Sequence, residues 1–138
     1  MQSPNQTAAP PSSVRLLVVD DHDLSRESMH AMLECEPDFV VVDEAKDGQE
    51  AIELCRLHHP DLVVMDVRMP RMNGFEATRL IKEELCETKV LIMSAYDNVW
   101  CSTEAMRAGA EGYVLKLAPL MEILKAVRGA LEDEPQYP

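Results

Sequence analysis

Five polar groups stand where apolar runs end, and their types fit one kind of chemistry. Asp20 and Asp21 follow "VRLLVV" (14–19), with Asp23 one residue further on. Asp66 follows "DLVVM" (61–65), Ser94 follows "KVLIM" (89–93), and Lys116 ends "GYVLK" (112–116). Carboxylates crowded together repel one another unless a cation sits among them. An oxygen-only donor set suits a hard divalent ion such as Mg²⁺ or Mn²⁺. Asp66 is the acid with a second use. A carboxylate can attack phosphorus and become an acyl phosphate, and it needs no general base because it is already ionised at neutral pH. The charge on a phosphoryl group would then be met by the metal, by the Lys116 ammonium and by the Ser94 hydroxyl.

Those groups can meet only if the runs before them lie side by side. Short apolar runs at 14–19, 39–44, 61–65, 89–93 and 112–116 alternate with stretches of helical spacing. Met29, Met32 and Leu33 make one such stripe, Ala51, Leu54 and Cys55 a second, and Ala77, Leu80 and Ile81 a third. Leu120, Ile123, Leu124, Val127 and Leu131 make the last. Five repeats of strand and helix with continuous apolar strands predict an α/β fold, a parallel sheet covered by helices on both faces. Pro37 and Pro60 precede strands, Asn73-Gly74 reads as a turn, and Gly109 suits the end of a helix. In an open parallel sheet, ligands bind beyond the carboxyl ends of the strands, where all five polar groups fall.

The 138 residues suffice for one domain, with 46% hydrophobic, 28% charged and 4% aromatic residues. Lys and Arg number 13 against 25 Asp and Glu, a formal charge of −12. That balance argues against nucleic-acid binding by this segment and for partners that are cations or basic protein surfaces. Residues 1–13 ("MQSPNQTAAPPSS") carry no charge and read as a flexible tail. Residues 133–138 read as a tail or the start of a linker, which leaves a folded unit over 14–132. Cys35, Cys55, Cys86 and Cys101 lack metal-site spacing and read as small buried residues in a reducing compartment. The nine methionines read as core filler. With no membrane-length apolar run and no leader pattern, the expected location is cytoplasmic, away from membranes.

The motifs "LLVVDDHD", "PDLVVMDVRMPRMNGFEA", "VLIMSAYD" and "AGAEGYVLK", in that order, resemble the receiver domain of two-component response regulators. The resemblance spans about 14–132 and is nearest to the NarL/LuxR-type subfamily. It implies a flavodoxin-like (βα)5 three-layer sandwich with strand order 2-1-3-4-5. Asp66 resembles the phosphoacceptor. Asp21 resembles the direct metal ligand, Asp20 an indirect or water-mediated one, and the Arg68 backbone carbonyl a further one. Ser94 resembles the switch hydroxyl, Lys116 the phosphate-binding lysine and Tyr113 the switch aromatic. Arg68 and Tyr96 take the positions that influence phosphoryl lifetime. The implied partners are a sensor histidine kinase and a second copy when phosphorylated; the chain reads either as a fragment of a longer parent with a C-terminal DNA-binding helix-turn-helix or as a stand-alone receiver. One departure is the position of Pro119, three residues after Lys116, where many receivers have proline directly after the lysine.

Plainer readings stand beside these. Asp20-Asp21 could merely cap the helix that begins near Leu24, and Asp23 reads as a cap rather than a ligand. Lys116 could extend its ammonium to water. His22, His30, His58 and His59 read as surface residues, with His22 beside the acids. Trp100 reads either as core or as an exposed contact for a partner. Two other functions compete with the phosphorylation switch. One is a Mg²⁺-dependent phosphohydrolase with an aspartyl nucleophile, for which Asp21 and Asp23 have the spacing. The other is an interaction module that works without phosphate.

Overall fold

A computed structural model describes residues 13–132. The tails expected at the two ends fall, apart from Ser13, outside the described residues. The elements alternate as β1 (Val14–Val19), α1 (Asp23–Leu33), β2 (Phe39–Ala45), α2 (Gly48–His58) and β3 (Leu62–Asp66). They continue as α3 (Gly74–Glu84), β4 (Lys89–Ser94), α4 (Val99–Ala108), β5 (Gly112–Leu115) and α5 (Leu120–Leu131). All strands are parallel, in the order β2-β1-β3-β4-β5, the flavodoxin-like arrangement. Right-handed crossovers put consecutive helices on whichever face their strands leave open.

The sheet divides the core in two because successive strand residues face opposite sides. Leu17, Val19, Val63, Met65, Val90, Ile92 and Tyr113 face α2, α3 and α4. Leu16, Val18, Leu62, Val64, Leu91, Met93 and Val114 face α1 and α5. The central strand β3 is buried at every residue, which explains its unbroken apolar run. α5 buries Ile123, Leu124, Val127 and Ala130 along one stripe. Each large side chain there contributes roughly 1.5–3 kcal/mol through removal from water.

Local signals place the helix ends. Asp47, Asn73 and Asn98 accept hydrogen bonds from backbone N–H groups at the starts of α2, α3 and α4. Asn73 is therefore a cap, and Gly74 the first helical residue, rather than a turn pair. α1 is capped by His22 instead of Asp23; Asp23 is already helical, and its carboxylate binds Arg26 at 2.8 Å.

Several surface expectations change. Cys55 and Cys101 are buried, whereas Cys35 and Cys86 are exposed. Among the methionines, Met29, Met65 and Met93 fill the core, but Met106 and Met121 face solvent. His22 and His59 are exposed, while His30 and His58 are half-buried against Glu44 and Asp43. Among the described residues no peptide bond is cis, that after Lys116 included. No described helix is long and apolar enough to cross a membrane.

Gly109 ends α4 with φ +93°, a left-handed conformation that costs a residue with a Cβ about 1–2 kcal/mol. A built Cβ would make only ordinary contact, the nearest atom being Lys82 Cγ at 3.4 Å. Gly109→Ala is expected to lower unfolding free energy by about 1 kcal/mol with no change in denaturant slope, measured by urea titration.

Candidate functional site

Strand register assembles the site. Val19 pairs with Met65, Asp66 with Met93, and Ser94 with Leu115, so the ends of β1, β3, β4 and β5 lie level. The ladders run on past the strands. Asp20 N–H donates to the Ala45 carbonyl at 3.0 Å, and Lys116 N–H to the Ser94 carbonyl at 2.8 Å. Asp20, Asp66 and Ser94 are thereby held with rigid backbones and are all buried.

Lys116 reaches back across this edge. Its Nζ lies 2.7 Å from Asp20 Oδ2 and 3.5 Å from Asp66 Oδ2. Burial alone would lower the pKa of Lys116, but the two carboxylates hold it above the ordinary value. Asp20 is also buried, yet bonds from Lys116, Ser25 and the His22 N–H outweigh desolvation and keep its pKa low. Asp66 lacks comparable support. Burial, with the charge of Asp20 added, pushes it up to about 6. The ammonium sits closer to Asp20 than to the acid expected to do chemistry.

The cluster has room for another cation. One ligand atom from each of Asp20, Asp21, His22 and Asp66 lies within 4.8 Å of the others. Asp21 Oδ1 is enclosed and accepts no hydrogen bond; His22 Nδ1 is 3.0 Å away, an ion pair only when the ring is protonated. An enclosed carboxylate oxygen with no donor is costly unless a cation meets it. The residues present therefore fit a divalent ion with oxygen ligands. Asp23 stands apart, its side chain 77% exposed and bound to Arg26, so the Asp21 and Asp23 pair that a hydrolase would use is not assembled.

The sequence matches the response regulator receiver domain over residues 16–128. The chain belongs to this family. Two similar curated proteins are the transcriptional regulatory protein DegU of Brevibacillus brevis and the transcriptional regulatory protein LiaR of Bacillus subtilis. Each is 37% identical, over 85% and 89% of this chain. The matches cover 50% and 58% of those proteins, so the chain spans about half the length of the curated relatives it matches. Among solved structures, the receiver domain of NarL from Mycobacterium tuberculosis aligns with a TM-score of 0.84 at 38% identity, covering 88% of this chain and 98% of that one. A LuxR-family regulator from Aurantimonas sp. aligns with a TM-score of 0.87 at 36% identity, covering 91% and 89%.

The remaining residues singled out in this receiver surround the acids. Ser94 Oγ accepts from the Tyr96 N–H at 3.0 Å. Tyr113 lies inside the core, 5% exposed, and its hydroxyl donates to the Tyr96 carbonyl. Burial raises its phenol pKa. Arg68 donates to the Tyr96 hydroxyl, with its guanidinium 5.2 Å from the Tyr96 ring centre. Trp100 is 65% exposed and meets Phe75 edge-on, with ring centres 6.0 Å apart. It is not core, and it borders an open hollow of about 610 Å³ shared with Asp21, His22 and Arg68.

Two further residues shape the site without being conspicuous in the sequence. Arg26 is 7% exposed and donates to the Asp20 carbonyl at 2.9 Å and to Glu44 at 2.9 Å. It ties the loop bearing the acids to α1 and β2. Its position on the buried face shared with Met29 and Leu33 was the available signal. Gly74 packs against the end of β3. A Cβ built on it would stand 2.1 Å from the Asp66 carbonyl oxygen.

Gly74→Ala is therefore expected to cost about 2 kcal/mol or more, since rigid backbone must shift. Gly48→Ala, whose Cβ would meet the flexible Met72 side chain at 2.9 Å, should cost less in the same thermal melts. The raised pKa of Asp66 also predicts a pH effect in metal-free protein. A folded pKa of about 6 against an unfolded value near 3.8 favours the fold at low pH, and that contribution is lost as pH rises between the two values. Asp66→Asn in EDTA should thus unfold about 2 kcal/mol less readily near pH 7, with the gain shrinking toward about pH 5. Urea denaturation of both proteins at the two pH values checks this.

Proposed function

We propose that this chain receives a phosphoryl group on Asp66 from a sensor histidine kinase and changes conformation to control an output. Supporting the reading above all is Lys116 Nζ, placed 2.7 and 3.5 Å from two buried acids at one sheet edge. An Asp66 carboxylate oxygen attacks phosphorus, forming an O–P bond as the N–P bond of the donor phosphohistidine breaks. The electron pair of the broken bond returns to the donor imidazole. Lys116 meets one phosphoryl oxygen and the Ser94 hydroxyl donates to another. Asp21, Asp66 and the Arg68 carbonyl, with Asp20 through water, would hold Mg²⁺ or Mn²⁺, which supplies the remaining positive charge when bound. Arg68 and Tyr96 flank the mouth and govern how readily water reaches the phosphoryl group.

Ser94 moves toward the phosphoryl group, and Tyr113, whose ring is already inward, is held there. The face of α4, β5 and α5 is then read by a partner, for which exposed Val99, Trp100 and Met106 offer apolar contact. In this reading the chain is a signalling switch, not a turnover enzyme, and works in the cytoplasm. Its folded unit is 14–132, and residues 133–138 lead toward an output domain. The curated relatives are transcriptional regulators, so the output is transcription through a DNA-binding helix-turn-helix in a longer parent, with pairing of two copies on phosphorylation.

Intact mass after incubation with Mg²⁺ and a small acyl phosphate tests the reading. A gain of one phosphoryl group in the wild type and none in Asp66→Asn is the expected result. Labelling of the Asn protein at that position would sink the assignment, and steady release of phosphate from a small ester would turn it toward a hydrolase.

A further inference from the structure

We infer that His22 makes the acidic cluster selective among divalent ions, adding affinity for borderline transition metals of the nickel, cobalt and zinc class. The inference rests on the reading of that cluster as a cation site and names what it holds. Three histidines have ionic partners among the described residues, and they differ in kind. His30 lies between Glu34 and Glu44, at 3.2 and 2.5 Å, and His58 against Asp43 at 2.9 Å. Only His22, among the described residues, shares a group of possible ligands that all approach within 4.8 Å.

Its backbone is anchored and its ring is open to solvent. The His22 N–H donates to Asp20 Oδ1 at 2.9 Å, which anchors the residue to the first acid. As the cap of α1 it has an extended backbone, and its side chain makes no capping hydrogen bond. Nδ1 points among carboxylates, 3.0 Å from Asp21 Oδ1 and 3.4 Å from Asp20 Oδ1. The side chain is otherwise 70% exposed. The enclosed Asp21 Oδ1, which accepts no hydrogen bond, faces the same space.

Ligand softness then separates the ions. Mg²⁺ is bound by oxygens and gains little from an imidazole. Nickel, cobalt and zinc ions bind imidazole well and exceed manganese in affinity for mixed nitrogen and oxygen sites. Three carboxylates alone separate these ions, all of equal charge, less strongly. Three carboxylates with one imidazole favour the borderline ions further.

Calorimetric titration of the 138-residue chain with Mg²⁺ alone and with Ni²⁺ alone tests the inference. Only the Ni²⁺ that excess Mg²⁺ displaces is counted, which sets aside ions held by other histidines or cysteines. In His22→Ala, Mg²⁺ affinity should stay within about twofold of wild type, while displaceable Ni²⁺ binding weakens about tenfold or more. Equal weakening of both ions, or no change for Ni²⁺, overturns the role of His22. A fold defect is not expected, since the side chain carries no cap bond, and circular dichroism monitors it. Asp21→Asn separates the two levels of the argument. If it leaves Mg²⁺ binding unchanged, the cluster is not the cation site, and the inference about His22 falls with it.

Discussion

Everything at the carboxyl edge of this sheet depends on how the charges of Asp20, Asp21 and Asp66 are offset. Among the described residues the Lys116 ammonium is the cation within reach of the Asp20 and Asp66 carboxylates, and it sits nearer Asp20. Three carboxylates with one ammonium leave about two negative charges in a partly desolvated space, where Coulomb terms are several times larger than in water. Asp20 is stabilised by Lys116 and by backbone and hydroxyl donors, so it stays ionised. Asp66 is desolvated by burial and also feels the charge of Asp20, and the two together raise its pKa to about 6. Asp21, with one enclosed oxygen unpaired, completes a shortage of positive charge that a divalent ion would relieve.

The fold makes that arrangement rigid. β1 and β3 are neighbours at the centre of the sheet, so acids 46 residues apart stand side by side on buried strands. Arg26 fastens the first loop through the Asp20 carbonyl, and Gly74 lets α3 start directly against the backbone of Asp66. Neither contact touches a carboxylate; each holds the backbone that carries one. Groups intended for charge-dependent chemistry are held this way because a carboxylate on a loose loop would swing to solvent.

Tyr96 links the site to the far face. Its N–H reaches the Ser94 hydroxyl, its carbonyl receives the Tyr113 hydroxyl, and its phenol receives Arg68. One residue thus joins the ends of β3 and β4 to a side chain of β5 beside α4. A change at Ser94 cannot leave Tyr113 unaffected while these bonds hold. Trp100 begins the same helix and stands over the hollow beside the acids, so the exposed face and the site share a border.

The sequence by itself determined the alternation of strands and helices, the two-sided core and the identity of the acids and the lysine. Those follow from local rules: apolar runs of strand length, helical spacing, and polar residues where strands stop. The family likeness supplied the strand order, and register then put the ends of β1, β3, β4 and β5 level, with Lys116 against Asp20 and Asp66. Tertiary structure alone decided the rest. A sequence does not say that Arg26 turns inward to a carbonyl, that Gly74 has no room for a Cβ, or that Tyr113 is already inside the core. Nor does it separate exposed Cys35 and Cys86 from buried Cys55 and Cys101, or place the cap of α1 on His22. Each of these depends on which chain segments, far apart in sequence, come within a few ångströms, and only packing in three dimensions sets that distance.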